Sequence, residues 1–251
     1  ACALPPEATP SGDTPPTETH SLRHASGCMV CETPLQYARE EKPASCAYCG
    51  EEHLSAVFCE RGHFVCDRCH AEDALQVVEH VCLSSQETDM LRLLEQIRKH
   101  PLVPTNGPEH HGLVPGIILA TYRNLGGAVD DERIQTGIRR GAQIIGGSCA
   151  YVGVGAAVTG VGVAFSLLLE ANPLKPTERH QLQSAIQDVM GDIAAQHAAR
   201  CCHRDCLLAL QAAARISQNV LPIPLRAEER PRCQQQYKNR ECQGKSCPFF
   251  N

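Results

Sequence analysis

Four pairs of metal-ligating side chains crowd into 42 residues near the amino end: Cys28-x2-Cys31, Cys46-x2-Cys49, Cys59-x3-His63 and Cys66-x2-Cys69. Two thiolates separated by two residues chelate one tetrahedral ion, because the intervening turn brings both sulfurs to about 2.3 Å from the metal. Two pairs close one site. Eight donors therefore make two sites, and seven thiolates with one imidazole suit two zinc ions. Seven thiolates against two dications leave a charge of about −3 (−7 + 4), partly offset by Arg61 and Arg68. Pairing the first with the third and the second with the fourth gives a cross-brace, whereas consecutive pairing gives two separate fingers; spacing alone leaves both open. Closed four-ligand sites do no chemistry, so the module is a folding staple or a partner-docking surface. His53, His70, His80 and Cys82 are spare donors, read as surface or core residues.

A second group of thiols, Cys149, Cys201, Cys202, Cys206, Cys233, Cys242 and Cys247, lacks regular zinc spacing. Cysteines drawn from separate turns hold iron–sulfur clusters, and a thiol beside Arg200, His203 and Arg204 is poised to be nucleophilic. Cys149, Cys202, Cys242 and Cys247 are the candidate cofactor ligands, with Cys149 and Cys202 also candidate reactive thiols. The competing reading of RCCHRDC is a pair of small core residues at a helix junction. The run GPEHHGLVPG adds Glu109, His110 and His111 as candidate acid–base residues. Adjacent His residues point in different directions on a helix, so no more than one faces a given site.

The elements that must position these groups are mainly helical. Aromatic residues make up 4% of the chain and Trp is absent, while Ala, Gly and aliphatics dominate; this suits close-packed helices better than a sheet built on aromatic pairs. The fold class expected is a helical C-terminal domain preceded by a small two-zinc module, RING-like or zinc-ribbon-like, with short β-hairpins. Residues 1–24, rich in Pro, Thr, Ser and Glu, read as a disordered lead in which Cys2 is a bystander. The metal module occupies 25–84. Residues 85–106 form a helix and linker, with Ser85 or Thr88 as cap, Met90, Leu91, Leu94 and Ile97 on one face, and Pro101 and Pro104 ending it. The helical domain spans 107–222. It opens with an apolar helix stopped by paired Gly, continues with Ile134 and Ile138 at helical spacing, and holds a Gly-rich turn at IIGGSCAYVGVG before a buried helix. The stretch 142–169 is long enough to span a bilayer at about 20 residues per crossing, but its clustered Gly favour a buried helix. Two further helices, the first capped by Thr177, break near 200–205. A Cys-containing tail, 223–251, packs on the helical domain, since so polar a tail needs something to tie it down.

A formal net charge of −5 disfavours binding to phosphate backbones, which needs an excess of Lys and Arg. Sixteen Cys in metal-ligand spacings beside His fit a reducing cytoplasmic setting better than a disulfide scaffold. No secretory leader is legible at the first residues, which begin with Ala rather than Met.

The run FCERGHFVCDRCH resembles the middle of a RING domain, but no further pair follows Cys69, which speaks against a ubiquitin-ligase role. Taken jointly, CMVCETPLQY, CAYCG, CERGHFVCDRCH, GPEHHGLVPGIILATYRN, GGSCAYVGVGAA, RCCHRDC and NRECQGKSCPFF resemble an archaeal and bacterial cysteine-rich family recorded as a domain of unknown function, over roughly residues 27–251. Some members of that family are fused to S-adenosylmethionine-dependent methyltransferase-like domains, and the resemblance therefore implies methyl or sulfur chemistry. The chain departs from the family pattern at Gly155, where a second Cys is expected; if that residue is a ligand in relatives, the centre here is altered.

Two functions follow. One is a metalloprotein whose zinc module supports a helical domain with a second Cys-based centre, an iron–sulfur cluster or a reactive thiol, engaged in sulfur or methyl transfer. The other is a non-catalytic adaptor whose zinc module binds a partner protein and whose tail Cys hold a third structural zinc. Nothing in the residues decides whether the chain is an enzyme.

Overall fold

The computed structural model describes residues 28, 30, 31, 33, 35–66, 69, 74–144, 146, 148–228, 230–239 and 241–251. The lead at 1–24 with its Cys2, and also Arg68, His70 and Gly147, lie outside the described residues. The fold is mostly helical, with one antiparallel hairpin near the amino end. Strands β1 (Leu35–Ser45) and β2 (Glu52–Cys59) precede helices α1 (Ala74–Ser84), α2 (Met90–Arg98), α3 (His110–Asn124), α4 (Asp131–Ala142), α5 (Ser148–Tyr151), α6 (Ala156–Leu168), α7 (Pro176–Ala194) and α8 (Cys202–Val220). Two short 3-10 turns, Gln236–Lys238 and Gly244–Ser246, punctuate the tail.

Helix α3 is the axis of the domain. From His110 to Tyr122 every residue is buried, the signature of a helix apolar on all sides that must be enclosed by others. Helices α1, α2, α4, α6 and α8 pack around it. Low aromatic content is matched by glycines where helices meet. Gly112 and Gly116 of α3 face Ile138 of α4, and Gly160 of α6 lies against Val114. The tightest approach is Gly141 of α4 on the backbone of His111 and Gly112. Pro115 explains the location: lacking an N–H, it leaves the His111 carbonyl without its intrahelical donor, and α4 closes on that turn.

Caps and charges fix the neighbours of α3. Asp130 caps α4 by accepting from Arg133 N at 2.8 Å, with Asp131 and Glu132 in the first turn and Arg139 and Arg140 in the last, each sign suited to the helix dipole. The cap of α2 is Asp89, not Ser85 or Thr88: its Oδ1 accepts from Leu91 N at 2.8 Å and Arg92 N at 3.2 Å. Thr88 is excluded because Asp89 stands one residue closer to the first helical N–H groups, where a carboxylate bonds two of them. Helix α7 likewise starts one residue before Thr177, with Lys175 as its cap residue and Pro176 at its first position, where proline's fixed φ and missing N–H do no harm. The break after α7 lies at residues 195–201, and Cys201 caps α8. Helix α1 lies within the span 25–84, and its Val77, Val78, Val81 and Cys82 join the helical core.

Three ties secure the tail. Met90 N donates to Arg226 O at 2.9 Å, Glu228 N donates to Asp89 Oδ2 at 2.6 Å, and Cys233 N donates to Phe249 O at 2.6 Å while Phe249 is buried in the core. Among the described residues no helix is long and apolar enough to cross a membrane; the apolar stretch 142–169 resolves into α5, the Gly-rich turn and the 13-residue α6.

Candidate metal centre

The hairpin decides the pairing of the donors. Leu35 pairs with Cys59 at one end of the ladder and Ser45 with Glu52 at the other, so Cys31 and Cys59 share one end while Cys46 and Cys49 sit at the turn. After β2 the chain doubles back: Cys46 bridges Phe64, and Ala47 N donates to Phe64 O at 2.8 Å, which delivers Cys66 and Cys69 to the turn. Two tight turns help. Gly50 and Gly62 adopt φ of 78° and 77°, and their N–H groups donate to Cys46 O and Cys59 O at 2.9 and 2.8 Å.

Two four-donor groups result, Cys28, Cys31, Cys59 and His63, and Cys46, Cys49, Cys66 and Cys69, each with all ligand atoms within 4.8 Å of one another. Pairs one and three, and pairs two and four, thus form a cross-brace. In the first group Cys31 Sγ lies 3.8 Å from Cys59 Sγ, and His63 Nδ1 lies 3.3, 3.5 and 3.8 Å from Cys31, Cys59 and Cys28. In the second, Cys49 Sγ and Cys66 Sγ are 4.0 Å apart. A tetrahedron with arms of about 2.3 Å has edges of about 3.8 Å, so both groups fit a single tetrahedral ion. Backbone N–H groups of Val30, His63 and Cys66 donate to the sulfurs of Cys28, Cys59 and Cys46 at 3.3–3.4 Å, as suits thiolates held for a metal.

Electrostatics support the same reading. Burial, then the neighbouring Cys46 and Cys66, push the Cys49 thiol up to about 12, and burial with the charges of Cys46 and Cys49 pushes Cys69 higher still. Hydrogen bonds from Thr33 draw Cys31 down to about 7. Four thiols this close cannot all ionise on their own, and a dication in their midst removes that conflict. Cys49 also comes within 4.8 Å of Glu51 and His80, but it already belongs to the second group.

The lobe is fixed to the helical domain. Tyr48, fully buried, stacks tilted on His100 with ring centroids 4.2 Å apart, Gln96 Nε2 donates to Tyr48 O at 3.4 Å, and His100 Nε2 meets Cys69 O.

The remaining candidate residues fall into three places. Cys149 and Cys202 line a cavity of about 710 Å3 with His111, Met190, His197 and Arg200. Cys149 is exposed there, whereas burial raises the Cys202 thiol. Cys242 and Cys247 line a different, narrow cavity together with Cys201 and Cys233. The set Cys149, Cys202, Cys242 and Cys247 is therefore divided between two cavities on either side of the start of α8. Burial also raises the Cys201 and Cys233 thiols, and Cys233 lies within electrostatic reach of Cys201, Cys247 and Cys242. Cys206 is buried in the core, its thiol pushed far up by desolvation.

The two histidines part as neighbours on a helix must. Arg98 Nη1 donates to His110 Nε2 at 2.8 Å, so the ring proton sits on Nδ1, which donates to Gly107 O at 3.1 Å with Glu109 Oε1 2.6 Å away. This buried relay continues through Arg98 to Gln235 Oε1. His111 turns to the large cavity instead. Thr159 Oγ1 donates to Gly155 O or Ala156 O, at 3.1 or 3.2 Å, and accepts from His111 Nδ1 at 3.1 Å, which leaves Nε2 as the basic nitrogen. Burial holds His111 below its ordinary pKa and so neutral. Gly155, at the position where family members are expected to carry a second Cys, lies against Cys149 at the cavity rim. Sequence reasoning passed over Arg98 and Gln235 and did not single out Cys201 or Cys233; nothing in their local spacing marks them, since Gln235 lies 137 residues from Arg98 and the tail cysteines reach Cys201 only through the fold.

Fold and site define a helical protein with an amino-terminal cross-braced lobe whose eight donors can hold two metal ions. The chain belongs to a family of unknown function (DUF5714), whose model matches residues 78–250. The match begins inside α1, so the metal lobe precedes it and the motif resemblance over 27–251 extends beyond the matched span. No curated protein and no solved structure matches the chain.

Proposed function

We propose that the chain is a zinc metalloprotein in which the cross-braced lobe is structural and the helical domain works through a thiol, Cys149 with Cys202 beside it, in sulfur or methyl transfer. The observation that carries this reading is a division of labour among the cysteines: eight donors close into two complete sets, while an exposed Cys149 stays outside them on the wall of a cavity of about 710 Å3. That volume suits a small molecule. Zinc fits the lobe because its donors are thiolates and an imidazole at tetrahedral spacing with no open position.

Within the cavity the neutral His111 supplies a base for a thiol or substrate proton, and Arg200 supplies positive charge for an anionic group. A thiolate here attacks an electrophilic methyl carbon or sulfane sulfur; the new bond forms as the donor's bond breaks, and the leaving group departs with the electron pair. The lobe's contacts through His100 and Gln96 brace α2, which carries Arg98 to His110 beside that cavity.

Elemental analysis and timed iodoacetamide labelling of the whole protein test the reading. Two zinc per chain and labelling of Cys149 faster than free cysteine, slowed by His111→Gln, are the expected results. A Cys149 rate equal to that of free cysteine and indifferent to His111→Gln sinks the transfer chemistry. A second reading, a non-catalytic adaptor, draws support from Val30 and Leu54, apolar side chains exposed at 37% and 66% on the lobe. Under it, Leu54→Glu abolishes partner binding with the zinc content unchanged.

A further inference from the structure

The four thiols of the narrow cavity sit apart from the chemistry proposed above, and they come from four separate places. Cys201 caps α8, Cys233 makes the backbone tie to Phe249, and Cys242 and Cys247 flank the turn Gly244–Ser246. All four face one cavity with His203, Arg204 and Phe249. We propose that Cys201, Cys233, Cys242 and Cys247 hold a [4Fe–4S] cluster that fastens the tail to the helical domain.

Three observations support this site. First, its sulfurs are dressed as those of the metal lobe are. Arg204 N, Gln235 N and Gly244 N donate to Cys201, Cys233 and Cys242 Sγ at 3.5, 3.4 and 3.4 Å, two or three residues on from the sulfur in each case. Hydrogen bonds to cluster sulfurs are one of the protein's means of holding and tuning such a group.

Second, the spacing is wrong for a single ion. No three of these four sulfurs lie within 4.8 Å of one another, whereas both sets in the lobe do. A zinc ion with arms of about 2.3 Å needs its ligands that close. A cluster places its four cysteines on four different irons, and its ligand sulfurs stand farther apart.

Third, a cation is buried beside the site. Arg98 is 5% exposed, its Nε has no hydrogen-bond partner, and Cys206, Cys201, Cys233 and Cys202 all lie within electrostatic reach of its charge. Its two terminal nitrogens go to His110 and Gln235, both uncharged acceptors as drawn by their hydrogen bonds. The Glu109 carboxylate beyond His110 also lies within electrostatic reach of Arg98, and negative charge at the thiols adds to that balance for a buried guanidinium. Four thiolates around an oxidised cubane carry about two net negative charges (−4 + 2), which the adjacent Arg98 offsets in part, Arg204 being paired with Asp205 at 2.9 Å. Gln235 links the two features: its N–H bonds Cys233 Sγ while its side chain grips Arg98.

The test uses the whole chain, purified without oxygen and reconstituted with ferric iron, sulfide and dithiothreitol, which reduces two of every four irons. The expected result is a brown protein with about four iron and four sulfide per chain in addition to the lobe's two zinc. Cys201→Ser, Cys233→Ser, Cys242→Ser and Cys247→Ser each lower the iron content and bleach the visible band, while Cys149→Ser leaves both unchanged. Circular dichroism on the same samples confirms that the helices persist. A colourless parent protein containing three zinc overturns the proposal in favour of a mononuclear site, and one containing two zinc and no iron overturns it outright. Loss of the cluster in Cys149→Ser overturns the assignment of ligands. The labelling rate of Cys149 is a separate measurement, so failure here leaves the thiol cavity standing or falling on its own result.

Discussion

Gly141→Ala is the sharpest probe of how the helical domain is built. A methyl group at Gly141 would stand 2.5 Å from the His111 carbonyl carbon and 2.9 Å from Gly112 Cα, and closer still to the His111 oxygen. Ordinary contact begins near 3.4 Å, so α3 and α4 must separate by at least 0.9 Å (3.4 − 2.5). The atoms in the way are backbone of the central helix, which cannot swing aside as a side chain does. Overpacking of this kind costs about 3 kcal/mol or more, and the better helix propensity of alanine returns about 1 kcal/mol, for a net loss of about 2 kcal/mol. For a domain of this size that is a fall in Tm of about 4–8 °C. The control is Gly191→Ala in α7, where an added Cβ meets nothing within 4 Å; it should raise stability by up to about 1 kcal/mol. Both are read by thermal unfolding at one protein and zinc concentration. Because the carbonyl in question belongs to His111, the first variant should also slow labelling of Cys149. A Gly141→Ala protein as stable as its parent, with Gly191→Ala behaving as expected, refutes the close approach of α3 and α4 at Pro115.

Other expectations concern the lobe, a cap and pH. Chelation of the lobe's metal should abolish amide protection across β1 and β2, because among the described residues the lobe's own buried cluster is four Cys and Tyr48 with only Phe64 and Val65 packed on it, while α3 amides stay protected; unchanged exchange at β2 would show that the lobe folds without metal. Cys59→Ser and Cys66→Ser should each lower the zinc content by about one per chain, since they belong to different groups, and a protein that keeps both ions would contradict the cross-brace. Asp89→Ala removes the cap of α2 and the acceptor for Glu228 N together, an expected loss of about 2 kcal/mol in urea unfolding; a change within error would mean that the tail is tied elsewhere. His111 is held below 6.5 by burial, so the unfolded chain binds a proton that the folded one refuses. Its contribution is complete above that value and is lost as the solution is acidified through it. Melts at about pH 7.5 and about pH 5.5 should show a lower Tm at the acid end and a smaller gap in His111→Gln, and an equal gap in the variant would exclude His111 as the cause.

The metal lobe was legible because its chemistry is local. A CxxC turn declares two ligands whatever surrounds it, so Cys28 to Cys69 could be read as eight donors from spacing alone. The helical character of the remainder was legible for a similar reason: Met90, Leu91, Leu94 and Ile97, or Ile134 and Ile138, repeat at a helix's period before any partner is known. What the chain could not declare was which pairs share an ion. That choice belongs to the ladder of β1 and β2, which sends Cys46 and Cys49 to the far end from Cys31 and returns Cys66 to meet them.

The second group of cysteines shows the limit more plainly. By sequence Cys201 and Cys202 are equivalent neighbours, yet adjacent positions at a helix start diverge, so one thiol faces Cys233, Cys242 and Cys247 while the other shares a cavity with Cys149. In the same way His110 is claimed by Arg98 and His111 by Thr159, a separation that follows from the 100° step between successive residues on α3. Residue types and short spacings thus determined which chemistry this protein can perform with metals and thiols. Only the tertiary structure decided which groups act together, because contacts among segments far apart in the chain depend on helix packing and strand register, and neither is written in any single stretch of residues.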